Sequence, residues 1–302
     1  MVTINKTVMM SGADYFSDEF AINAYMNSRV KIDVDKAKAE HAAIKQAMID
    51  AGINVIQVPP PQGCQDGVYT ANWALCRGDK AVMSALPNKR QAESPYAEAA
   101  LKNQGKTIIR LPVDARFSGQ GDALPFGKFL FAGTNYRTDF SVHAYLQHHL
   151  EYKVISLQTI PKRKWFGYGA RIVNSVTGWP DSYFYDIDLA IGVLDDNTIA
   201  YCPEAFVPFS RRLLADLPVR KIIVSRGEAT KGFACNLVST GETVIMSAHA
   251  PKLKAEIEKL GYKTITPAVT ELGKGGGYIR CTTLTLDNAI ADTATATATA
   301  TT

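Results

Sequence analysis

The chain has little that ties it to a metal, a membrane or a polyanion. Its 302 residues include five cysteines, Cys64, Cys76, Cys202, Cys235 and Cys281, scattered and without a C-x-x-C pair. That pattern excludes a disulfide framework and a zinc ribbon, and fits a reducing cytosol. The five histidines, His41, His143, His148, His149 and His249, show no H-E-x-x-H spacing, so no metal is expected, and His148-His149 reads as helix surface. No apolar run approaches the roughly 18 residues of a membrane helix, and the opening MVTINKTVMMSGADYF lacks the features of a secretory signal. Lys+Arg 33 against Asp+Glu 29 leaves a net charge of +4, too small and too dispersed to predict a nucleic-acid or membrane partner. Neither G-x-x-x-x-G-K-[ST] nor G-x-G-x-x-G stands between a strand and a helix, so a phosphate loop is not expected. These absences leave a soluble, cytoplasmic, unprocessed protein that handles a small molecule without a cofactor. A homo-oligomer is compatible with all of them.

What is present suffices for a large core: 46% of the residues are hydrophobic and 21% charged. Short β-branched runs predict strands, mostly buried, at Val55–Val58, Thr107–Leu111, Phe129–Ala132, Lys153–Leu157, Lys221–Val224 and Thr243–Met246. Helices are predicted from Asp35 to Ala51, with alanines near one face, and from Ala250 to Leu260. Each is followed by a glycine, Gly52 or Gly261, and then by a strand, a phrase that implies repeated strand-helix-strand modules. No Pro/Gly/Ser linker interrupts the middle, so residues 1–291 are read as one α/β domain. The Thr/Ala tract at 292–302 is read as a disordered tail.

Four segments can carry chemistry. In Glu271 to Cys281, four glycines in five positions precede Arg280-Cys281. A cysteine there is a nucleophile if Arg280 and Lys274 favour its thiolate, and otherwise a structural thiol beside a flexible turn. In Phe117-Ser118-Gly-Gln-Gly-Asp122, with Arg137 on the following loop, an acid and an arginine suit the ammonium and carboxylate of an amino acid. The same residues also describe a hairpin turn and a surface arginine. The third segment is Gly63 to Leu75, with Asp66 and Asn72. The fourth contains Asp186-Ile-Asp188, which on a strand places two carboxylates on one face, able to share a proton or grip a cation.

In this order the segments resemble the pentein, or guanidino-group-modifying, superfamily: arginine deiminases, dimethylarginine dimethylaminohydrolases, amidinotransferases and bacterial arginine dihydrolases. Met10-Ser-Gly-Ala-Asp-Tyr-Phe16 with Ala21-Ile-Asn-Ala-Tyr-Met26 is similar to the opening M-x-x-P-x-x-F…I-N-P-x-M, with Ala13 and Ala24 in place of prolines. Gln65-Asp-Gly-Val-Tyr-Thr-Ala-Asn72 is similar to P-D-x-V-F-T-A-N, and Arg90-Gln-Ala-Glu93 to R-x-x-E. Phe233-Ala-Cys-Asn236 and the Lys274–Cys281 loop are most like the dihydrolase branch. The resemblance implies a five-bladed α/β propeller of ββαβ modules around a central site. It also implies a cysteine that attacks the guanidinium carbon and a histidine that protonates the leaving amine and then activates water.

By that resemblance Cys281 matches the nucleophile, Asp188 the Asp of H-x-D, Asn72 the guanidinium contact, and Asp66, Arg90 and Arg137 the amino-acid clamp. Two positions depart from it. Asp186 stands where the family has its catalytic His, in Phe184-Tyr-Asp-Ile-Asp188, and Ser118 after Phe117 stands where it has the supporting Glu. Both members of an interacting pair have changed together. Three readings follow: a hydrolase of an arginine-like guanidino or amidine substrate with Asp186 in the place of His; an inactive protein that binds a cationic amino acid; and an interaction module, by analogy with a ribosome anti-association factor. Within the first, an amidinotransferase is the variant in which an amine, rather than water, meets the intermediate.

Overall fold

In the computed structural model of the chain, residues 4–27, 29–112, 114–164 and 169–288 are described. The tract assigned to a tail, 292–302, lies outside them. Among the described residues one pattern recurs: an antiparallel strand pair, a helix, and a third strand parallel to the second. The first complete copy is β3 (Ala74–Arg77), β4 (Lys80–Met83), α2 (Ser94–Asn103) and β5 (Thr107–Ile109), preceded in the chain by β1 (Thr7–Met10), α1 (Val34–Asp50) and β2 (Asn54–Gln57). Next come β6 (Ala123–Phe126), β7 (Phe129–Gly133), α3 (Phe140–Leu150) and β8 (Lys153–Leu157). The fourth copy is β9 (Ile191–Val193), β10 (Thr198–Tyr201), α4 (Pro208–Asp216) and β11 (Arg220–Ile223), followed by the short α5 (Arg226–Lys231). The fifth is β12 (Val238–Ser239), β13 (Thr243–Ile245), α6 (Pro251–Lys259) and β14 (Lys263–Ile265), and the chain continues through α7 (Glu271–Lys274) to β15 (Leu284–Thr285). β15 pairs antiparallel with β1, Val8 opposite Thr285, so the last strand completes the first module and closes the ring.

Helix formation follows local chemistry. Asp33 caps α1 by accepting from Lys36 N at 3.0 Å, and Pro251 opens α6 at the position where its missing N–H costs nothing. Gly52 and Gly261 follow α1 and α6 with positive φ, as their place after each helix predicts. His148 and His149 lie in the last turn of α3, with His148 exposed.

The expectation of mostly buried strands needs correction. The first and second strands of each module are buried, for example β3 throughout, whereas β2, β5, β11 and β14 are half exposed. Each sheet has three strands with the second in the middle, so first and third strands are both edges, and the half-exposed ones are the third strands, which follow the helix of the module. The buried first strands therefore lie on the inner side, and the residues that lead into them converge at the centre. Asn72 stands two residues before β3, Asp122 directly before β6, Asp188 three before β9, Asn236 two before β12 and Cys281 three before β15. Five equivalent positions each deliver one polar side chain to the middle of the ring.

Candidate active site

Cys281 is buried, and its thiol donates to Asp188 Oδ2 at 3.3 Å. Asn236 grips the same residue twice: Nδ2 reaches the sulfur at 3.2 Å, and Oδ1 accepts from the Cys281 backbone N–H at 3.2 Å. The turn that carries Asn72 is fastened to the cysteine turn, since Ala71 N donates to Cys281 O and the Thr70 hydroxyl lies 2.9 Å from Thr282 O. The glycine-rich stretch before Cys281 is pinned rather than loose. Tyr69 donates its hydroxyl to Leu272 O at 2.6 Å, Tyr185 to Gly276 O at 2.6 Å, and Asn23 donates to Gly275 O at 2.8 Å.

Asp186 and Asp188 do not lie on a strand, as alternation would place them. Asp186 precedes a 3-10 turn of Ile187–Leu189, and Asp188 lies within it. Both are fully buried. Asp186 Oδ2 accepts from Asn72 Nδ2 at 2.8 Å, and the same amide nitrogen is 3.0 Å from Ser118 Oγ. Behind Asn72, Arg90 donates to its Oδ1 at 2.8 Å and holds Glu93 through Nε at 2.7 Å and Nη2 at 2.8 Å. A buried chain Glu93–Arg90–Asn72–Asp186 thus fixes the Asp186 carboxylate.

The centre is acidic and buried. Burial, and then the neighbouring carboxylates, push Asp122 and Asp188 far above the ordinary carboxylate range; burial also raises Asp186, against the pull of Arg137 and of hydrogen bonds from Ser118 and Asn72. One oxygen of each aspartate, Asp122 Oδ2, Asp186 Oδ1 and Asp188 Oδ1, is buried without a hydrogen-bond partner. The same burial and the charges of Asp188 and Asp186 raise the Cys281 thiol. The expected support for a thiolate is therefore corrected. Lys274 is taken by Glu271 at 2.6 Å, and Arg280 donates to Asn5 and Thr285 at 3.1 and 3.0 Å while the two aspartates dominate around the sulfur.

Several other assignments are relocated. Arg90, expected in the amino-acid clamp, spends its donors on Glu93, Asn72 and the carbonyls of Asp66 and Tyr69, so its contact is with the protein. The Phe117 side chain packs among Leu75, Val82, Ala123 and Leu130, and its backbone bridges Ala85; only Ser118 beside it meets the polar centre. Arg137 is no surface residue. It is 5% exposed, stacks 4.1 Å over the Tyr185 ring and donates to Ile22 O at 3.1 Å, with no carboxylate in ion-pair range among the described residues. Asp66 is buried beside the Arg90 guanidinium, accepts from Gln65 at 2.8 Å and is raised by desolvation to about 6. The sequence offers Asp122 for the ammonium of an amino acid and quotes Asn236 in a family phrase without giving it a role; the structure places Asp122 Oδ1 on Ile187 N and Asn236 on Cys281. The signal that finds them is their place just ahead of a module's first strand, which they share with Asn72, Asp188 and Cys281.

Five modules closed into a ring, with a buried cysteine, an asparagine and a group of aspartates at its centre, define the pentein fold, and the chain belongs to the pentein, or guanidino-group-modifying, superfamily. No family model matches the sequence. It is 31% identical over 277 residues to the N(G),N(G)-dimethylarginine dimethylaminohydrolase of Mycobacterium tuberculosis, covering 91% of this chain and 84% of that one. It is also 31% identical over 290 residues to the bifunctional arginine dihydrolase/ornithine cyclodeaminase AgrE of Nostoc sp. PCC 7120, covering 94% of this chain. The matched region is 38% of the length of that bifunctional relative. Among solved structures, the N-terminal domain of ArgZ, a cyanobacterial arginine dihydrolase bound to its product, superposes with a TM-score of 0.84 at 28% identity, over 94% of this chain and 98% of that domain. The same domain has been captured with its substrate when a cysteine is replaced by serine. No helix among the described residues is long and apolar enough to cross a membrane.

Proposed function

We propose that this protein is a cysteine-dependent hydrolase of an arginine-like guanidino compound, with Asp186 carrying the proton that a histidine carries elsewhere in the superfamily. The observation behind this reading is the pairing of a nucleophile held from two sides, by Asp188 at 3.3 Å and Asn236 at 3.2 Å, with three buried aspartates that each keep an unpartnered oxygen. Those oxygens can accept from a cation with several N–H donors. A guanidinium supplies both.

The thiol is protonated at rest, because burial and two carboxylates oppose its ionisation. An arriving guanidinium offsets those carboxylates and favours the thiolate, whose proton is released to solvent and regained when the C–S bond breaks. The sulfur attacks the guanidinium carbon, forming the C–S bond. The C–N bond to the leaving group then breaks as that nitrogen takes a proton from Asp186. Asp186, now a carboxylate held by Asn72, accepts a proton from water as the oxygen attacks the thiouronium carbon. Breaking the C–S bond restores Cys281. The balance is guanidine plus water to urea plus amine.

Asp188 and the oxygen of Asp186 left free by Asn72 face the guanidinium. Arg137, buried with no carboxylate in ion-pair range among the described residues, suits the substrate's carboxylate, and Asp66 its ammonium. Arg90 keeps Asn72 in register. The partner is a small cationic amino acid.

The test is incubation of the purified protein with arginine, methylarginines, agmatine, guanidinoacetate, citrulline and lysine, following every mass, with Cys281→Ser in parallel. Loss of one guanidino compound with release of an amine, only with Cys281 intact, is the expected result. Equal turnover by the serine variant overturns the reading. Saturable binding with no product would replace it by an inactive binder of a cationic amino acid.

A further inference from the structure

The segment that leads into Asp186 also forms one wall of a cavity of about 390 Å³ that the chemistry above does not use. Tyr183 and Phe184 line it from this segment, Ile160 and Pro161 from the stretch after β8, and Arg226 from the start of α5. Hydrogen bonds between the two stretches fix the walls. Ser182 Oγ donates to Ile160 O at 2.7 Å, Thr159 Oγ1 to Phe184 O at 2.7 Å, and Lys162 N to Asp181 O at 2.8 Å. The shape of the cavity is therefore set by the chain itself.

Three cations meet in this cavity: Lys162, Arg163 and Arg226. The carboxylates near them do not match that charge. Asp181 lies 3.8 Å from Lys162 Nζ, a long ion pair, and Glu204 places Oε2 on the Arg226 backbone N–H at 3.3 Å rather than on its guanidinium. Arg163 donates to Gly169 O at 2.8 Å and has no carboxylate in ion-pair range, and the Arg226 side chain has neither a hydrogen bond nor an ion pair among the described residues. Guanidinium forks pair with the oxygens of carboxylate and phosphate groups, so two of them beside an ammonium suit a multiply charged oxyanion. The remaining lining, Ile160, Pro161, Phe184 and the Tyr183 ring, is apolar or aromatic and suits a carbon skeleton rather than a hydrated inorganic ion. We propose that this cavity binds a small organic anion, with a phosphate or polycarboxylate head on Lys162, Arg163 and Arg226 and an apolar body against the other wall. The site is distinct from the substrate clamp, whose cation, Arg137, is not in the lining.

The test is isothermal titration calorimetry of the full chain at about 0.15 M salt with AMP, citrate, inorganic pyrophosphate and, as the uncharged control, adenosine. AMP or citrate is expected to bind one site per chain with a Kd of about 1 mM or tighter, and adenosine not to bind. Whichever of the two binds identifies the head group as phosphate or carboxylate. Arg226 is exposed, so Arg226→Gln does not threaten the fold, and Arg163→Gln probes the other stretch. Each is expected to weaken the Kd about tenfold or more, while Arg137→Gln leaves it within about twofold. Loss of binding in Arg137→Gln, with none in the other two variants, places the anion in the substrate clamp and overturns the proposal. Pyrophosphate binding as tightly as the organic anions contradicts the apolar body. A Kd weaker than about 10 mM for every probe, or one that neither Arg163→Gln nor Arg226→Gln changes, also overturns it.

Discussion

The thiol of Cys281 faces the carboxylate of Asp188 at 3.3 Å, a nucleophile placed beside a negative charge rather than a positive one. The arrangement holds the sulfur as a thiol until a cation arrives.

Replacing Asp188 by Asn removes that opposing charge while keeping the shape. Alkylation of Cys281 by iodoacetamide at pH 7, read on the cysteine's peptide by mass spectrometry, is expected to accelerate about tenfold for each unit by which the thiol falls. Turnover is expected to drop, because the guanidinium loses an anchor. An unchanged or slower alkylation rate contradicts the electrostatic assignment.

Glu93 holds Arg90 bidentately in the interior and also accepts from Trp73 Nε1 at 3.0 Å. Glu93→Gln leaves a buried guanidinium without its charge partner, so urea unfolding is expected to report a loss of about 3–5 kcal/mol. Asn72 loosens with Arg90, and kcat falls along with stability. A loss below about 1 kcal/mol would mean that the pair is not desolvated as the structure has it.

His41, on the buried side of α1 with Nε2 unpartnered, is lowered by desolvation to about 4. Between about 6.5 and about 4 the unfolded chain binds this proton and the folded chain does not. Stability from this group is therefore fully present above 6.5 and is lost as the pH falls through that window, by about 3 kcal/mol at its lower end. His41→Gln is expected to flatten the dependence of the urea midpoint on pH between 6.5 and 4. A parallel dependence in variant and wild type would show that His41 is not the group responsible.

Much of the architecture is legible in the residues. The caps of α1 and α6 and the glycines after them mark the repeat, because helix ends are set by local hydrogen bonding. The exposure of β2, β5, β11 and β14 is not legible, since a run such as Val55–Val58 has the same composition whether it is a first or a third strand. At the site, motif matching points to Cys281, Asn72, Asp186 and Asp188, which the structure brings together at the centre of the ring. It gives Arg90 to a clamp, whereas in the structure the Arg90 donors meet Glu93, only three residues along the same turn, and Asn72; an arginine type does not say which group reaches it first. It quotes Asn236 without a role and offers Asp122 only for an ammonium, because the contacts of both depend on modules meeting across the ring. The environment of Cys281 is likewise tertiary: Arg280 is adjacent in sequence, yet Asp188, 93 residues away, contacts the sulfur.

The measurement that bears most directly on the central claim compares wild type and Asp186→Asn on two substrates of different leaving group. With arginine the departing nitrogen must be protonated, and the variant is expected to lose about 10²–10⁴-fold in kcat. With S-methyl-L-thiocitrulline, whose thiolate leaves without a proton, the variant is expected to form the Cys281 adduct at close to the wild-type rate. Equal losses on both substrates, or none on arginine, would contradict the assignment of Asp186 as the acid.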